Sequence, residues 1–577
     1  MDKNQRSAPI FYPTIFYLKK NDMSCRTTGG RSAPIFVTRC QYGLRCSPSF
    51  CYYWCMAEWV NQILKVDFSI HILLILKVLF LIVLFWAVLA LFGSSLPKQK
   101  MKFNYVLLGW IFCGSLFAVL AYQSTWQLGG MARPEFMKFM RTYNRRENAA
   151  SQQSLRGPIF DRRGMVLAAP QAGSIWKRRY PLSEAAVHPL GYYNFRYGIT
   201  AVERASESLL SGLIQDPESL AKSILLKRAE QGGSVNLTLD SRLQKRAYDL
   251  LRKRRGAVVI MNPGNGELLA LVSSPGFNPQ NPAPALRDFK GKPIFNRAVQ
   301  GRYPPGSTFK IVIAGAALNN GVSPTYNCPP GGYIAGTGHK TIRDSEYYSA
   351  QRKEGTWRGW GKINMKEAMT HSSNVYFSQL GAACTGEQLA KVMQSVQIDQ
   401  EICYFNGSSG DLKCVAGGMP KLNSRWDRAQ CAIGQGDLLV SPLHVACFTA
   451  AAANRGGLFA PKLNLQTPVQ ELSQPFTAAT AYTLKVMLRE VVKRGTGQGI
   501  DLDGLDVCGK TGTAEVSGAK DHSWFTCFAP LSKPEIVVTV LIENGGYGAA
   551  AALPVAKELL LEADKLGYIK KSRRKRK

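Results

Sequence analysis

Pro304-Pro-Gly-Ser307-Thr-Phe-Lys310 is the stretch around which the rest of the chain is read. On a helix, a serine and a lysine three positions apart share one face. A serine hydroxyl is a poor nucleophile near neutral pH, but a neutral lysine beside it can take its proton. Such a lysine must be desolvated or held near other cations. Pro304-Pro305-Gly306 fits a turn that delivers Ser307 to a helix N-terminus, where free backbone N–H groups can hold an oxyanion. Alone the pattern is weak. Ser219/Lys222 and Ser517/Lys520 repeat it, and an isolated case reads better as a surface helix pair.

Two companions follow in order. In His371-Ser372-Ser373-Asn374, Ser372 can relay a proton and Asn374 can hydrogen-bond a substrate amide; taken alone, the segment reads as a cap or turn. In Cys508-Gly-Lys510-Thr511-Gly512-Thr513-Ala514, a strand carries one cation and two hydroxyls toward a carboxylate. It lacks the spacing of a phosphate loop. The ordered Ser-x-x-Lys, Ser-x-Asn, Lys-Thr-Gly trio is shared by penicillin-binding proteins and serine β-lactamases. The six histidines fall in no Gly-x-Ser-x-Gly or H-E-x-x-H context, and no metal-ligand spacing stands out, so neither a metal nor a cofactor is expected.

Outward from the trio, Gly256–Pro263 and Glu267–Ser273 read as a hairpin around Gly264-Asn-Gly266. A helix begins after Asp240 or Ser241 as N-cap. Helical patterns cover 308–320, 363–371 and 437–454, and a strand pair closes the chain over 524–530 and 535–543. Strands at both ends with helices between give an α+β domain whose sheet joins chain-distant strands. Cys403 and Cys414 flank a turn at Asn406–Gly410; they could pair in an oxidising compartment or stand as two thiols.

Upstream, residues 70–92 form an apolar run broken only by His71 and Lys77, long enough to cross a bilayer. A second run covers 103–122. Lys98, Lys100 and Lys102 lie between them, a basic loop expected in the cytoplasm, which puts everything after Tyr122 outside. Alternatively, Met101-Lys102 opens a single-pass anchor, and residues 1–100 are an extension. Arg6–Phe11 recurs as Arg31–Phe36, with no function attached. The expected organisation is an extension at 1–69, one or two spans within 70–122, a small mixed domain at 123–240, an α+β catalytic domain at 241–569 and a basic tail at 570–577. The formal charge of +33 calls for a polyanionic partner. A membrane surface or wall polymers fit that better than nucleic acid, because the bulk of the chain is expected outside the cytoplasm.

From about Arg156 to Lys557 the chain resembles the class B penicillin-binding proteins of septation and elongation. Arg156-Gly-Pro-Ile-Phe-Asp161-Arg-Arg-Gly164 resembles the segment that opens that family's non-catalytic pedestal. Gly198-Ile-Thr-Ala-Val-Glu203 is similar to its Gly-x-x-Gly-x-Glu-like segment, with Ala201 where the family has Gly. Asn296-Arg-Ala298, Gly434-Gln-Gly436 and Ser441-Pro-Leu443 add to the likeness. The resemblance implies a pedestal beside a transpeptidase domain with an antiparallel sheet. It implies Ser307 as acylated nucleophile, Lys310 as base, Ser372 as relay and Asn374 as orienter of the donor peptide. It implies Lys510, Thr511, Gly512 and Thr513 as the carboxylate-binding strand, with the Ser307 and Thr513 N–H groups as oxyanion hole. Implied partners are peptidoglycan stem peptides, β-lactams and a polytopic membrane glycosyltransferase, with the catalytic domain on the extracytoplasmic side of the plasma membrane. The stretch from Tyr122 to Arg156 is too short for a polymerase domain. A silent scaffold and a membrane-bound serine β-lactamase are the alternatives.

Overall fold

The computed structural model describes residues 155–570 apart from 172–173, 213–231 and 252–253, together with 109, 112–117 and 119–120. The extension, the first apolar run, the basic loop, most of the second run and the tail beyond Lys570 lie outside the described residues. Among the described residues no helix is long and apolar enough to cross a membrane. The chain divides into two units, Met1–Pro134 and Glu135–Lys577. In the first, residues 112–117 are helical.

The second unit opens with a small sheet. Strands β1 (Ile159–Phe160), β2 (Val166–Gln171), β3 (Ser174–Arg179) and β4 (Val235–Asn236) take the order β3-β2-β1-β4. Beside it the fully buried Glu203 accepts from Arg156 Nε at 2.8 Å, from Arg178 Nε and from the Tyr180 hydroxyl at 3.1 Å. Burial pushes the Glu203 carboxyl up, but the two guanidiniums outweigh it and hold the group below its ordinary value. Asp161 fastens this sheet to the next layer. One of its oxygens accepts Arg163 and Met165 N–H groups at 2.8 and 2.9 Å, and the other accepts Ser241 N–H at 3.1 Å.

Strands β5 (Gly256–Met261), β6 (Leu268–Ser274), β7 (Cys508–Ala514), β8 (His522–Ala529) and β9 (Ile536–Ile542) form the main sheet, order β7-β8-β9-β5-β6, antiparallel throughout. The hairpin β5–β6 and the pair β8–β9 fall where the sequence runs place them, and β9 joins β5 across about half of the chain. Strands β5, β6 and β9 are buried at every position, so both faces of the sheet are covered.

Helices α1 (Ser241–Leu251), α2 (Lys310–Asn319), α3 (Met365–His371), α4 (Asn374–Ala383), α5 (Pro442–Ala453), α6 (Ala478–Arg494) and α7 (Gly548–Lys565) supply the cover. Asp240 caps α1, accepting Arg242 N–H at 2.9 Å. Leu243, Ala247, Val538, Val540, Ala556 and Leu559 build one core, with α1 and α7 on that face. Helix α5, buried along its whole length, packs on the other face. Its Thr449 hydroxyl joins those of Thr526 and Thr539 in a buried chain, at 2.9 and 2.8 Å. The hairpin Ile402–Gly407/Gly410–Cys414 forms around a Ser408-Ser409 turn, and both of its cysteines are free. Cys403 faces Lys413 and Cys414 faces Ile402, so the thiols are not directly opposed.

Ala201 has φ +47°, in the left-handed region where a Cβ costs about 1–2 kcal/mol. This is the position at which the resembled family carries glycine. Ala201→Gly is expected to stabilise the protein by about 1 kcal/mol in denaturant unfolding. An unchanged or lowered midpoint would remove strain as the reason for glycine there.

Candidate active site

Three chain segments meet at the β7 edge of the main sheet. The first is Gly306–Phe309, a 3-10 turn that runs directly into α2. The sequence pattern places Ser307 and Lys310 on a helix. The structure puts Ser307 in the tighter turn and Lys310 at the first α-helical position. Residues three apart eclipse in a 3-10 turn, so the pair shares a side more closely than α geometry would give. Gly306 makes the turn possible: its φ is +55°, and a Cβ there would lie 2.4 Å from the Thr513 carbonyl oxygen. Its N–H donates to Gly434 O at 2.9 Å.

The second segment is the break between α3 and α4. Ser372 closes α3 in the left-handed conformation, φ 57°. Its carbonyl oxygen accepts from Lys310 Nζ at 2.6 Å, and Asn374 Oδ1 accepts from the same nitrogen at 2.8 Å. The third is β7, whose Lys510 Nζ donates to Ser372 Oγ at 2.7 Å and to Thr511 O at 3.0 Å. Lys310 Nζ lies 3.4 Å from that same Ser372 Oγ. One serine hydroxyl therefore stands between two lysines.

Both lysines are fully buried. Burial pulls Lys310 down to about 7, against a partial upward pull from Asp344 and Glu346. Lys510 is pulled well below its ordinary value, by burial first and then by the Lys310 charge. Ser307 is half-buried. Among the described residues no hydrogen bond joins Ser307 Oγ to Lys310; the lysine is held by the Ser372–Asn374 break. Chemically, the cluster can take a proton from a nucleophile and pass it along a lysine–serine–lysine path.

A family model for the penicillin-binding protein transpeptidase domain matches residues 256–561, more than half of the chain, and one for the penicillin-binding protein A dimerisation domain matches 156–235. The chain belongs to the penicillin-binding protein transpeptidase family. Among curated relatives, the peptidoglycan D,D-transpeptidase MrdA of Acinetobacter baumannii is 33% identical over 409 residues, which cover 62% of this chain and 58% of that one. The peptidoglycan D,D-transpeptidase PbpA of Mycolicibacterium smegmatis is 28% identical, covering 67% and 84%. The match thus spans less than two thirds of the first relative and most of the second. Among solved structures, an imipenem acyl-enzyme complex of penicillin-binding protein A from M. tuberculosis superposes with a TM-score of 0.64 at 27% identity, covering 72% of this chain and 99% of that one.

In this penicillin-binding protein, Ser307, Lys310, Ser372, Asn374 and Lys510 come together. Thr511 and Thr513 alternate with Lys510 along the strand, and their hydroxyls are engaged elsewhere. Thr511 Oγ1 lies 2.7 Å from Thr496 Oγ1, and Thr513 Oγ1 accepts from Gly548 N–H at 3.4 Å. His371 stacks on Trp360 at 3.7 Å and takes no part in the cluster. Sequence reading missed Trp524, whose Nε1 donates to Pro304 O at 3.0 Å and pins the Ser307 turn to β8. It also missed Asp344, whose carboxylate supports the Ser373–Val375 backbone. Neither lies in a short motif, and their partners are distant in the chain.

Gly512 lets the Ser307 turn close on β7. A Cβ there would lie 2.8 Å from Thr308 Cγ2 and 3.0 Å from Trp524 Cβ. Gly512→Ala should cost about 1–3 kcal/mol in stability through overpacking, read as a lower thermal midpoint, and should slow acylation. A variant matching the parent in both would show that the turn has slack.

Proposed function

We propose that this protein is a peptidoglycan D,D-transpeptidase that cross-links stem peptides through an acyl-enzyme on Ser307. The observation that carries the reading is the buried Lys310, lowered to about 7 and held on Ser372 and Asn374. The relatives named as peptidoglycan D,D-transpeptidases and the β-lactam acyl-enzyme neighbours support it.

In the proposed reaction, Ser307 Oγ attacks the carbonyl carbon between the two terminal D-alanines of a stem peptide, and its proton goes to neutral Lys310. The tetrahedral oxyanion sits between the Ser307 and Thr513 backbone N–H groups. Collapse breaks the peptide C–N bond, and the leaving D-alanine amine takes a proton delivered through Ser372. An amine of a neighbouring strand then attacks the acyl-enzyme, forms the new amide and returns the proton to Ser307. Asn374 orients the donor amide; Lys510, Thr511 and Thr513 receive its carboxylate, with Gly512 giving the close approach. A β-lactam enters as a donor mimic whose leaving group stays tethered. Residues 123–240 serve as pedestal and 241–569 as transpeptidase domain. The apolar runs within 70–122 anchor the chain in the plasma membrane, with catalysis on the extracytoplasmic side. A polytopic glycosyltransferase supplies the strands.

Intact-mass analysis of the full chain after incubation with benzylpenicillin should give one adduct, mapped to Ser307. Ser307→Ala should lose it without losing the fold. Lys310→Ala should slow acylation by about 100-fold or more, since it removes the base. An adduct persisting in Ser307→Ala would move the nucleophile; rapid turnover of the penicillin would make the protein a β-lactamase.

A further inference from the structure

The Ser372–Asn374 break carries three functional groups, yet its backbone is strained at Ser372 and lies between two short helices. Something must hold it against Lys310. Asp344, 3% exposed, is the group in place to do so. It occupies the N-cap position of the helix Ser345–Arg352 but makes no cap hydrogen bond there. Its carboxylate instead reaches the start of α4, thirty residues on. Oδ1 accepts Asn374 N–H at 2.5 Å and Val375 N–H at 3.0 Å, and the Ser373 hydroxyl lies 3.1 and 3.2 Å from the two oxygens. The adjoining Arg343 carbonyl accepts from Asn374 Nδ2 at 3.1 Å. That bond leaves Asn374 Oδ1 turned to Lys310 Nζ. Both the backbone and the side chain of Asn374 are therefore set by residues 343–344.

The arrangement is also electrostatic. A carboxylate at a helix N-terminus is favoured by the free N–H groups and the helix dipole. Burial pushes the Asp344 carboxyl up, while the Val375 N–H and the Lys310 charge pull it back. Lys310 is faced by Lys510 from β7, by Asp344 and Glu346 from the 344–346 segment, and by uncharged Ser372, Asn374 and the Phe377 ring from the α3–α4 side.

We propose that Asp344 is a positioning residue for acylation: its carboxylate fixes the Ser372–Asn374 break against Lys310 and supplies negative charge beside that lysine. This inference rests on the transpeptidase reading, with Ser307 as nucleophile and Lys310 as base.

The test is the second-order acylation rate of the full chain by benzylpenicillin as a function of pH, for wild type, Asp344→Asn and Asp344→Ala. Asparagine keeps an oxygen for the Asn374 N–H and removes the charge. Because Lys310 acts as the neutral amine, acylation rises with pH through its titration. Loss of a neighbouring negative charge makes Lys310 easier to deprotonate. Asp344→Asn should therefore move the rising limb to lower pH, an effect that a purely structural role would not produce. Asp344→Ala should also lower the plateau by about tenfold or more, as expected when a reacting group loses its placement. If alanine does not fold, the asparagine limb alone decides. A limb in Asp344→Asn that coincides with wild type overturns the proposal while leaving the transpeptidase reading intact. A wild-type chain that takes no penicillin overturns both.

Discussion

Two lysine side chains, fully buried, converge on one serine hydroxyl, and the rest of the catalytic layer is built around that contact. Two ammonium groups cannot both stay charged there without water. Burial lowers both, Lys310 to about 7. Each of the three segments has to deliver its group to within hydrogen-bond reach while keeping solvent out. That requirement explains the 3-10 turn before α2, the left-handed Ser372 and the placement of Lys510 on an edge strand packed against α6.

Backbones pack closely around the site. Gly306 and Gly512 bring the Ser307 turn to β7 at distances no side chain would allow. Trp524 closes the same seam from β8. Behind it, α5 fills the inner face of the sheet with uninterrupted burial, and α1 and α7 fill the outer one. The small N-terminal sheet is tied in through Asp161 and held together by Glu203 between two arginines. The Asp161 contact reaches α1, which packs on β6 at the edge of the main sheet opposite the strand that carries Lys510.

Much of this was legible in the sequence, for identifiable reasons. The main sheet was readable because β5, β6, β8 and β9 are short β-rich runs bounded by turn residues. The trio was readable because Ser-x-x-Lys, Ser-x-Asn and Lys-Thr-Gly are each local. The edge pairing β7–β8, the 3-10 character at Ser307 and the capping of α4 by Asp344 were not. All three depend on partners far along the chain, and a local period carries no information about them. Thr511 and Thr513 show the same limit: the motif names them, but the present partners of their hydroxyls, Thr496 and Gly548, are set by the fold. Ala201 is the reverse case. A departure from a family glycine was visible in the sequence, and its meaning came only with the positive φ.

The central claim is that burial makes Lys310 a neutral base. The most direct measurement is an NMR titration of the full chain carrying lysine labelled with carbon-13 at Cε, with the Lys310 signal assigned by its loss in Lys310→Ala. The account predicts a midpoint near 7. A Lys310 signal that stays charged until pH is close to the ordinary lysine value, about 10.4, would contradict it.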